Sequence, residues 1–213
     1  MIVDPASTDY TSTYKLLIGS VVPRPIAFVS TINPEGAFNL APFSFFTVAS
    51  SHPPVLVFTV GNRATPDPRK DTLRNITITR EFVVNMVSEE IGEKMNLCSG
   101  DYPPEVDEFE VSGLTPIPSD LVKPPRVAES HVNMECRLLY TISMSGLTNG
   151  GNLVLGEVIR FHVDDTLVSN YRVDPDKLRA IGRMGGSGYT RTLDRFDMIR
   201  PGAIPPAEGG PIR

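Results

Sequence analysis

Proline and glycine interrupt this chain so often that long helices are excluded from most of it. Among the 213 residues there are 20 Pro and 17 Gly, and the proline share is nearly double the usual value of about 5%. Proline fixes φ and removes a backbone donor, so it disrupts helix interiors and central strands alike. The chain therefore predicts short strands joined by turns, with few and short helices.

Between these interruptions lie apolar segments of strand length that are rich in β-forming residues. They are residues 26–31, 38–41, 55–60, 82–87, 132–144 and 153–163. The turn sequences NPEG at 33–36 and TNGG at 148–151 predict hairpins between two pairs of these segments. Helical character is limited to residues 14–18, which Gly19 would end, to 70–80 and to 88–97, with Asp71 and Ser88 as the expected N-caps of the second and third.

This order of elements predicts a mainly β fold, an antiparallel β-barrel with helical additions. A parallel βαβ architecture is the weaker alternative, because the helices are too few. Residues 99–128 combine prolines with acidic residues and predict a long irregular excursion, of a kind that is more often functional or interface-forming than idle. We expect one domain over 1–213, with its core at about 14–200 and a Pro/Gly-rich surface arm at 201–213.

Charge and cysteine content narrow the class of protein. The formal net charge is −5, so the basic face that nucleic acid requires is not expected. The two cysteines, Cys98 and Cys136, show no CxxC spacing and are interpreted as free thiols of a reducing compartment, with a single disulfide between them as the alternative. No apolar run reaches the 18 residues of a membrane span, and the first residues do not resemble a signal peptide, so we expect a cytoplasmic protein without membrane contact.

No familiar catalytic signature is present. The chain lacks GxGxxG, GxxxxGK[ST], HExxH and GxSxG. Its glycine-rich run at 182–188 follows what we interpret as a helical turn rather than a strand, which makes it weak as a nucleotide-binding loop. His52, His131 and His162 stand apart without ligand spacing, so we predict no metal site and name no catalytic residue.

One group of polar residues has the composition of an anion site. Arg63, Lys70 and Thr72 lie between a buried strand and the start of a helix, with Asp71 ordering the turn. Two cations, a hydroxyl and free N–H groups at a helix N-terminus together bind phosphate well. The alternative interpretation is a solvated loop followed by an ordinary capped helix.

A second group suits the edge of a planar ring. Asn39, Ala41, Pro42, Phe43 and Ser44 combine small residues, proline and a hydroxyl, which lets backbone groups approach a ligand closely. A flavin has alternating donors and acceptors on its pyrimidine edge and would fit such a segment. The alternative is an ordinary hairpin rim, with Phe43, Phe45 and Phe46 in the core.

Seven segments, taken in order along the chain, resemble the flavin reductase-like, flavoredoxin-type family. They are PRPIAFVST at 23–31, NLAPFSFF at 39–46, KDTLRNI at 70–76, VDEF at 106–109, EC at 135–136, GEV at 156–158 and RMGGSGY at 183–189. Each is weak alone, but the ordered series is specific.

The resemblance implies a split β-barrel that binds FMN near the interface of a homodimer. It implies that residues 39–44 lie by the isoalloxazine and that Lys70 and Thr72 lie near the phosphate. Arg24 and Arg63 are further candidates. Since a flavin carries the redox chemistry itself, the absence of a familiar catalytic signature does not count against an enzyme. We expect a flavin oxidoreductase reduced by NADH or NADPH; an electron carrier reduced by a partner protein and a flavin-binding module without turnover are the alternatives.

Overall fold

The computed structural model describes residues 1–65, 67 and 69–202. Its α-helices are α1 Tyr10–Ser20, α2 Asp71–Thr79, α3 Gly92–Leu97, α4 Glu108–Ser112 and α5 Pro175–Leu178, and a 3₁₀ turn at Glu89–Ile91 precedes α3. Its strands are β1 Ala27–Ile32, β2 Phe38–Phe43, β3 Phe46–Ser51, β4 Pro54–Gly61, β5 Glu81–Met86, β6 Pro116–Ile117, β7 Arg126–Val127, β8 Val132–Ser143, β9 Gly151–Val163, β10 Val168–Ser169, β11 Arg172–Val173, β12 Ile181–Arg183 and β13 Tyr189–Arg191. None of the helices in these residues is long and apolar enough to cross a membrane.

Seven strands form one antiparallel sheet in the order β2-β1-β5-β8-β9-β4-β3. Its two edge strands, β2 and β3, are separated in the chain only by Ser44 and Phe45. A flat sheet of this width would hold its edges about 29 Å apart, whereas this link spans about 11 Å at most. The sheet must therefore curl until its edges meet, and the predicted mainly β split antiparallel barrel with helical additions is confirmed.

The sheet is packed on both faces. Inside the barrel, Phe58 lies between Phe43 and Phe82, with ring centroids 5.3 and 5.5 Å away. On the outer face, α3 and α4 cover β1 and β2 with a second apolar cluster that includes Phe28, Met95 and Phe109. Strand β1 is buried on both sides, which explains why its first three residues, 27–29, are all apolar and why Ser30 and Thr31 are buried as well.

Several local predictions need correction. Helix α1 starts at Tyr10, earlier than expected, because the Asp9 carboxylate accepts from the Ser12 N–H at 2.9 Å. Strand β3 was not predicted, since it is an exposed edge strand whose residues show no apolar alternation. The helical turn expected before the run 182–188 is present as α5, but the first two residues of the run belong to strand β12 and the rest forms the turn of the β12–β13 hairpin. Of the expected C-terminal arm, residues 203–213 lie outside the described residues.

The excursion at 99–128 is more ordered than predicted. It contains α4, β6 and β7, and buried side chains of the sheet hold its backbone. Asn85 accepts from the Val127 N–H at 3.0 Å, and Glu135 accepts from the N–H groups of Asp120 and Leu121 at 2.8 and 2.7 Å. These contacts fix the segment that carries α4 against the sheet.

Candidate functional site

A cavity of about 60 Å³ lies between β2, the first turn of α2 and the start of the excursion. Its lining includes all of the residues predicted to bind the cofactor except Arg24 and Ser44: Asn39, Ala41, Pro42, Phe43, Arg63, Lys70, Asp71 and Thr72. The remaining wall is formed by residues 98–101 and Glu108. The fold thus brings together two segments that are about 30 residues apart in the chain.

The start of α2 differs from the prediction in one respect. Asp71 is not the N-cap; Lys70 occupies that position with an extended backbone, and no side chain caps the first turn. Asp71 is the first helical residue, and its carboxylate accepts from Arg63 at 3.0 Å and from Arg74 at 2.5 Å instead. The first-turn N–H groups are therefore not used by a capping side chain, which leaves the positive end of the helix suited to an anion.

The two cationic side chains of the cavity, Arg63 and Lys70, differ in whether they are bound to other residues of the protein. Arg63 is committed to the protein itself, because it donates to Asp71, to Asp101 at 3.2 Å and to the Tyr102 carbonyl at 3.4 Å. Lys70 is half-buried, and its ammonium group makes no hydrogen bond or ion pair with the part of the chain that the structure describes. Lys70 is thus the cation that remains available to a ligand.

A buried network of polar side chains lies behind the cavity. The Thr72 hydroxyl, on a residue that is only 1% exposed, accepts from the Asn39 amide at 2.9 Å. Thr31 accepts from Asn39 at 3.2 Å and from Asn75 at 3.0 Å. Because the Thr72 oxygen accepts from Asn39, its own proton can be donated to another acceptor. The network also fixes the position of α2 relative to β1 and β2.

Strand β2 is an edge strand of the sheet, so its backbone groups that face away from β1 have no strand partner. Ala41 and Pro42 are half-buried, and Phe43 points into the barrel core. A cavity of about 60 Å³ is far smaller than the roughly 300–1,000 Å³ of a pocket that encloses a drug-sized ligand. It can therefore take one small polar group, while the rest of a larger ligand would lie along the edge of β2.

Arg24 and Ser44 lie apart from this cavity. Arg24 is 6% exposed and donates to the carbonyls of Ile18, Val21 and Met184 at 2.7, 2.8 and 3.0 Å. Its Nε also lies 3.5 Å from the Ser44 hydroxyl. Arg24 thus joins the end of α1, the bend after β2 and the residue after β12.

Glu108 is a cavity residue that sequence reasoning did not single out. The residue is 8% exposed, and its carboxylate accepts from the Leu40 N–H on the open edge of β2 at 3.0 Å. Burial raises the pKa of Glu108, in part against the effect of the Leu40 hydrogen bond, which lowers it. Its segment was recognised only as part of the family resemblance, since nothing in the spacing connects position 108 with positions 40 or 70.

The two cysteines and His162 lie in surroundings that do not indicate a catalytic role. Both thiols are free and buried, and burial raises the pKa of Cys98 in the cavity wall to about 11. Cys98 therefore stays protonated and is a poor nucleophile. His162 lies 2.6 Å from Glu135 and close to Asp120, but both acids already accept hydrogen bonds from protein donors.

Comparison with known proteins adds an independent finding. Residues 18–178 match the family model described as flavin reductase like domain. An uncharacterized protein of Aquifex aeolicus is 46% identical over 187 residues, which cover 87% of this chain and 93% of that protein. Nitrilotriacetate monooxygenase component B from Bacillus cereus is 34% identical with a TM-score of 0.88, covering 93% of this chain and 98% of that one. The 2-nitrobenzoate 2-nitroreductase of Pseudomonas fluorescens is 35% identical with a TM-score of 0.86, covering 97% and 100%.

Proposed function

The chain belongs to the flavin reductase-like domain family, and on that basis we propose that it binds FMN non-covalently and acts as an oxidoreductase reduced by NADH or NADPH. The observation that carries this proposal is the cavity at the start of α2. There a lysine with no partner among the described residues, a helix N-terminus without a capping side chain and a buried hydroxyl adjoin the edge strand β2.

In this proposal the cavity holds the phosphate of FMN. Lys70 supplies the positive charge, the first-turn N–H groups of α2 supply hydrogen bonds, and Thr72 donates its hydroxyl proton while it accepts from Asn39. Arg63 acts indirectly, because its contacts with Asp71 and Asp101 tie α2 to the excursion. The cavity of about 60 Å³ takes a single phosphate group, and FMN has one phosphate, so we propose FMN as the cofactor.

The isoalloxazine is proposed to lie along residues 39–44. Backbone groups on the open edge of β2 would meet its pyrimidine edge, and Arg24 would support this segment by holding Ser44 and the neighbouring carbonyls. In the described residues, β2 is an edge strand with no further strand beside it. We therefore propose a homodimer in which a second copy covers the ring, through apolar side chains such as Phe45 and Val48, which are 44% and 66% exposed.

Bound FMN would supply the redox chemistry, by accepting a hydride equivalent from the nicotinamide and passing electrons to an acceptor. The chain would bind and orient the cofactor and keep water from its phosphate end. No protonatable side chain is assigned a role in hydride transfer. The buried free thiols favour a reducing compartment, and we propose a cytoplasmic protein.

A second candidate function concerns the acceptor. The 35% identity to 2-nitrobenzoate 2-nitroreductase over 97% of this chain favours direct reduction of a nitroaromatic compound. The two candidates differ in how the reduced flavin is reoxidised: after release to a partner enzyme in one, and by a nitroaromatic compound bound at the site in the other.

Stopped-flow mixing of the FMN-loaded protein with NADH, and separately with NADPH, tests the proposed reaction. Rapid bleaching of the flavin absorbance with either nucleotide supports it. Absence of bleaching with both would overturn the reductase assignment and leave an electron carrier or a binding module. Adding 2-nitrobenzoate to the reduced protein without oxygen then tests the second candidate, because only direct reduction restores the flavin absorbance.

A further inference from the structure

We propose that Glu108 determines how the cofactor site recognises phosphate: its neutral carboxyl group admits the phosphate of FMN, and its carboxylate repels it. This inference rests on the proposed function, since it takes the α2 cavity as the phosphate site. It adds a residue from the excursion to a site otherwise formed by β2 and α2.

The position of Glu108 supports this role. It is the first residue of α4 and lines the same small cavity as Lys70 and Thr72. It also lines an adjoining cavity of about 250 Å³, and the two cavities share Asn39 and Asp71 as well. Glu108 therefore forms part of the wall between them. Because the smaller cavity measures only about 60 Å³, any group inside it lies close to every wall.

The charges around Glu108 make its protonation state decide how much positive charge the cavity offers to a phosphate. The ionisable groups that share a cavity or the α4 segment with it are Lys70, Arg63, Arg74, Asp71, Asp101, Asp107, Glu110, Glu35 and Cys98. Arg63 and Arg74 are both paired with Asp71, and each has a second acidic partner, Asp101 or Asp67. Lys70 has no such partner among the described residues. A carboxylate at Glu108 would offset its charge, whereas a neutral carboxyl would leave it available to phosphate.

The sign of the pH dependence follows from linkage. Burial already raises the pKa of Glu108, and a phosphate in the same cavity would raise it further by repulsion. FMN affinity is therefore full below the pKa of the free protein. It falls as pH rises from that pKa to the higher pKa of the complex. Each unit of difference between the two corresponds to about a tenfold loss of affinity.

The test compares wild type with Glu108→Gln, which remains neutral at all pH values and can still accept from Leu40. Titrations of FMN and riboflavin by fluorescence quenching run from about pH 5, just above the ordinary glutamate pKa of about 4.3, to about pH 8.5. Dividing the wild-type dissociation constant for FMN by that of the variant removes the titration of the phosphate itself. We expect this ratio to be near one at low pH and to rise to about tenfold or more.

Two controls distinguish repulsion between Glu108 and the phosphate from a general change of charge on α4 and from damage to the flavin site. Glu110→Gln makes the same charge change at an exposed position of α4 and should leave the ratio near one throughout. Riboflavin has no phosphate, so its affinity should be the same in wild type and Glu108→Gln. A pH-independent FMN ratio, or an equal change for riboflavin, would overturn the inference while leaving the proposed function intact. Failure of wild type to bind FMN would overturn both.

A second measurement needs no variant. Calorimetric titration in buffers of different ionisation enthalpy measures the protons exchanged on binding. Repeated over the same pH range, it should show net proton uptake when wild type binds FMN at pH values between the pKa of Glu108 in the free protein and its higher pKa in the complex, and none when it binds riboflavin. If FMN binds without proton uptake across the whole pH range, Glu108 does not sense the phosphate, even if Glu108→Gln fails to fold.

Discussion

Replacing Lys70 tests the phosphate assignment most directly. Lys70 lies at the N-cap position of α2, half-buried and without a partner among the described residues. Its ammonium group would make a charge-assisted hydrogen bond to the phosphate, worth roughly 1.5–3 kcal/mol. Lys70→Ala should therefore weaken FMN binding by about ten- to a hundredfold, since each 1.4 kcal/mol corresponds to a factor of ten.

Comparing FMN with riboflavin separates loss of a direct phosphate contact from a general disturbance of the fold. Riboflavin lacks the phosphate, so its affinity should hardly change in Lys70→Ala. Lys70→Met keeps most of the apolar stem and should reproduce the FMN loss, which assigns the effect to the charge. Lys123→Ala removes an exposed lysine outside the cavity lining and should leave both affinities unchanged.

Fluorescence quenching with both flavins gives the four sets of dissociation constants. An FMN affinity within twofold of wild type in Lys70→Ala would show that Lys70 is a solvated surface charge, worth almost nothing. Parallel losses for FMN and riboflavin would instead indicate that the substitution disturbs the start of α2. Either result refutes the phosphate contact.

Further predictions follow from the same site. Flavin released by acid from the purified protein should be FMN, so that chromatography showing mainly FAD, or a flavin retained after denaturation, contradicts the proposed site. The FMN-loaded protein should be a homodimer by light scattering, and a flavin-bound monomer at micromolar concentration would count against a ring covered by a second copy. Thr72→Ala should weaken FMN less than Lys70→Ala, by the 0.5–1.5 kcal/mol of a neutral hydrogen bond. It should also lower the free energy of unfolding in urea, because Asn39 loses an acceptor, while Thr72→Ser should retain both properties.

Some features were accessible from sequence because they depend on neighbouring residues. The turn sequences at 33–36 and 148–151 predicted hairpins that the structure contains as β1–β2 and β8–β9. Proline and glycine limited the helices to short segments, and the β-rich runs predicted six of the seven strands of the main sheet within a few residues. The two segments proposed to hold the phosphate and the flavin ring were also chosen locally, from residue types, and the structure places most of their residues around one cavity.

Other features depend on which groups the fold places face to face. Asp71 was expected to cap α2, but Arg63 and Arg74 both reach its carboxylate and hold it elsewhere. Arg63, expected as a phosphate ligand, is paired with two aspartates, whereas Lys70 has no ion-pair partner in the part of the chain that the structure describes. These pairings depend on distances between side chains of separate helices, strands and loops, and a local sequence pattern does not contain that information.

The sequence by itself determined the mainly β class and the two segments of the candidate site, because turn chemistry and strand propensity act between near neighbours. Only the tertiary structure decided that β2 and β3 lie at opposite edges of a sheet that must curl, since this depends on the pairing order of all seven strands. It also placed Glu108 against Leu40, a residue 68 positions earlier, inside the cavity of Lys70. Burial and charge at that point are set by long-range packing, so the group proposed to sense phosphate was visible only in the folded chain.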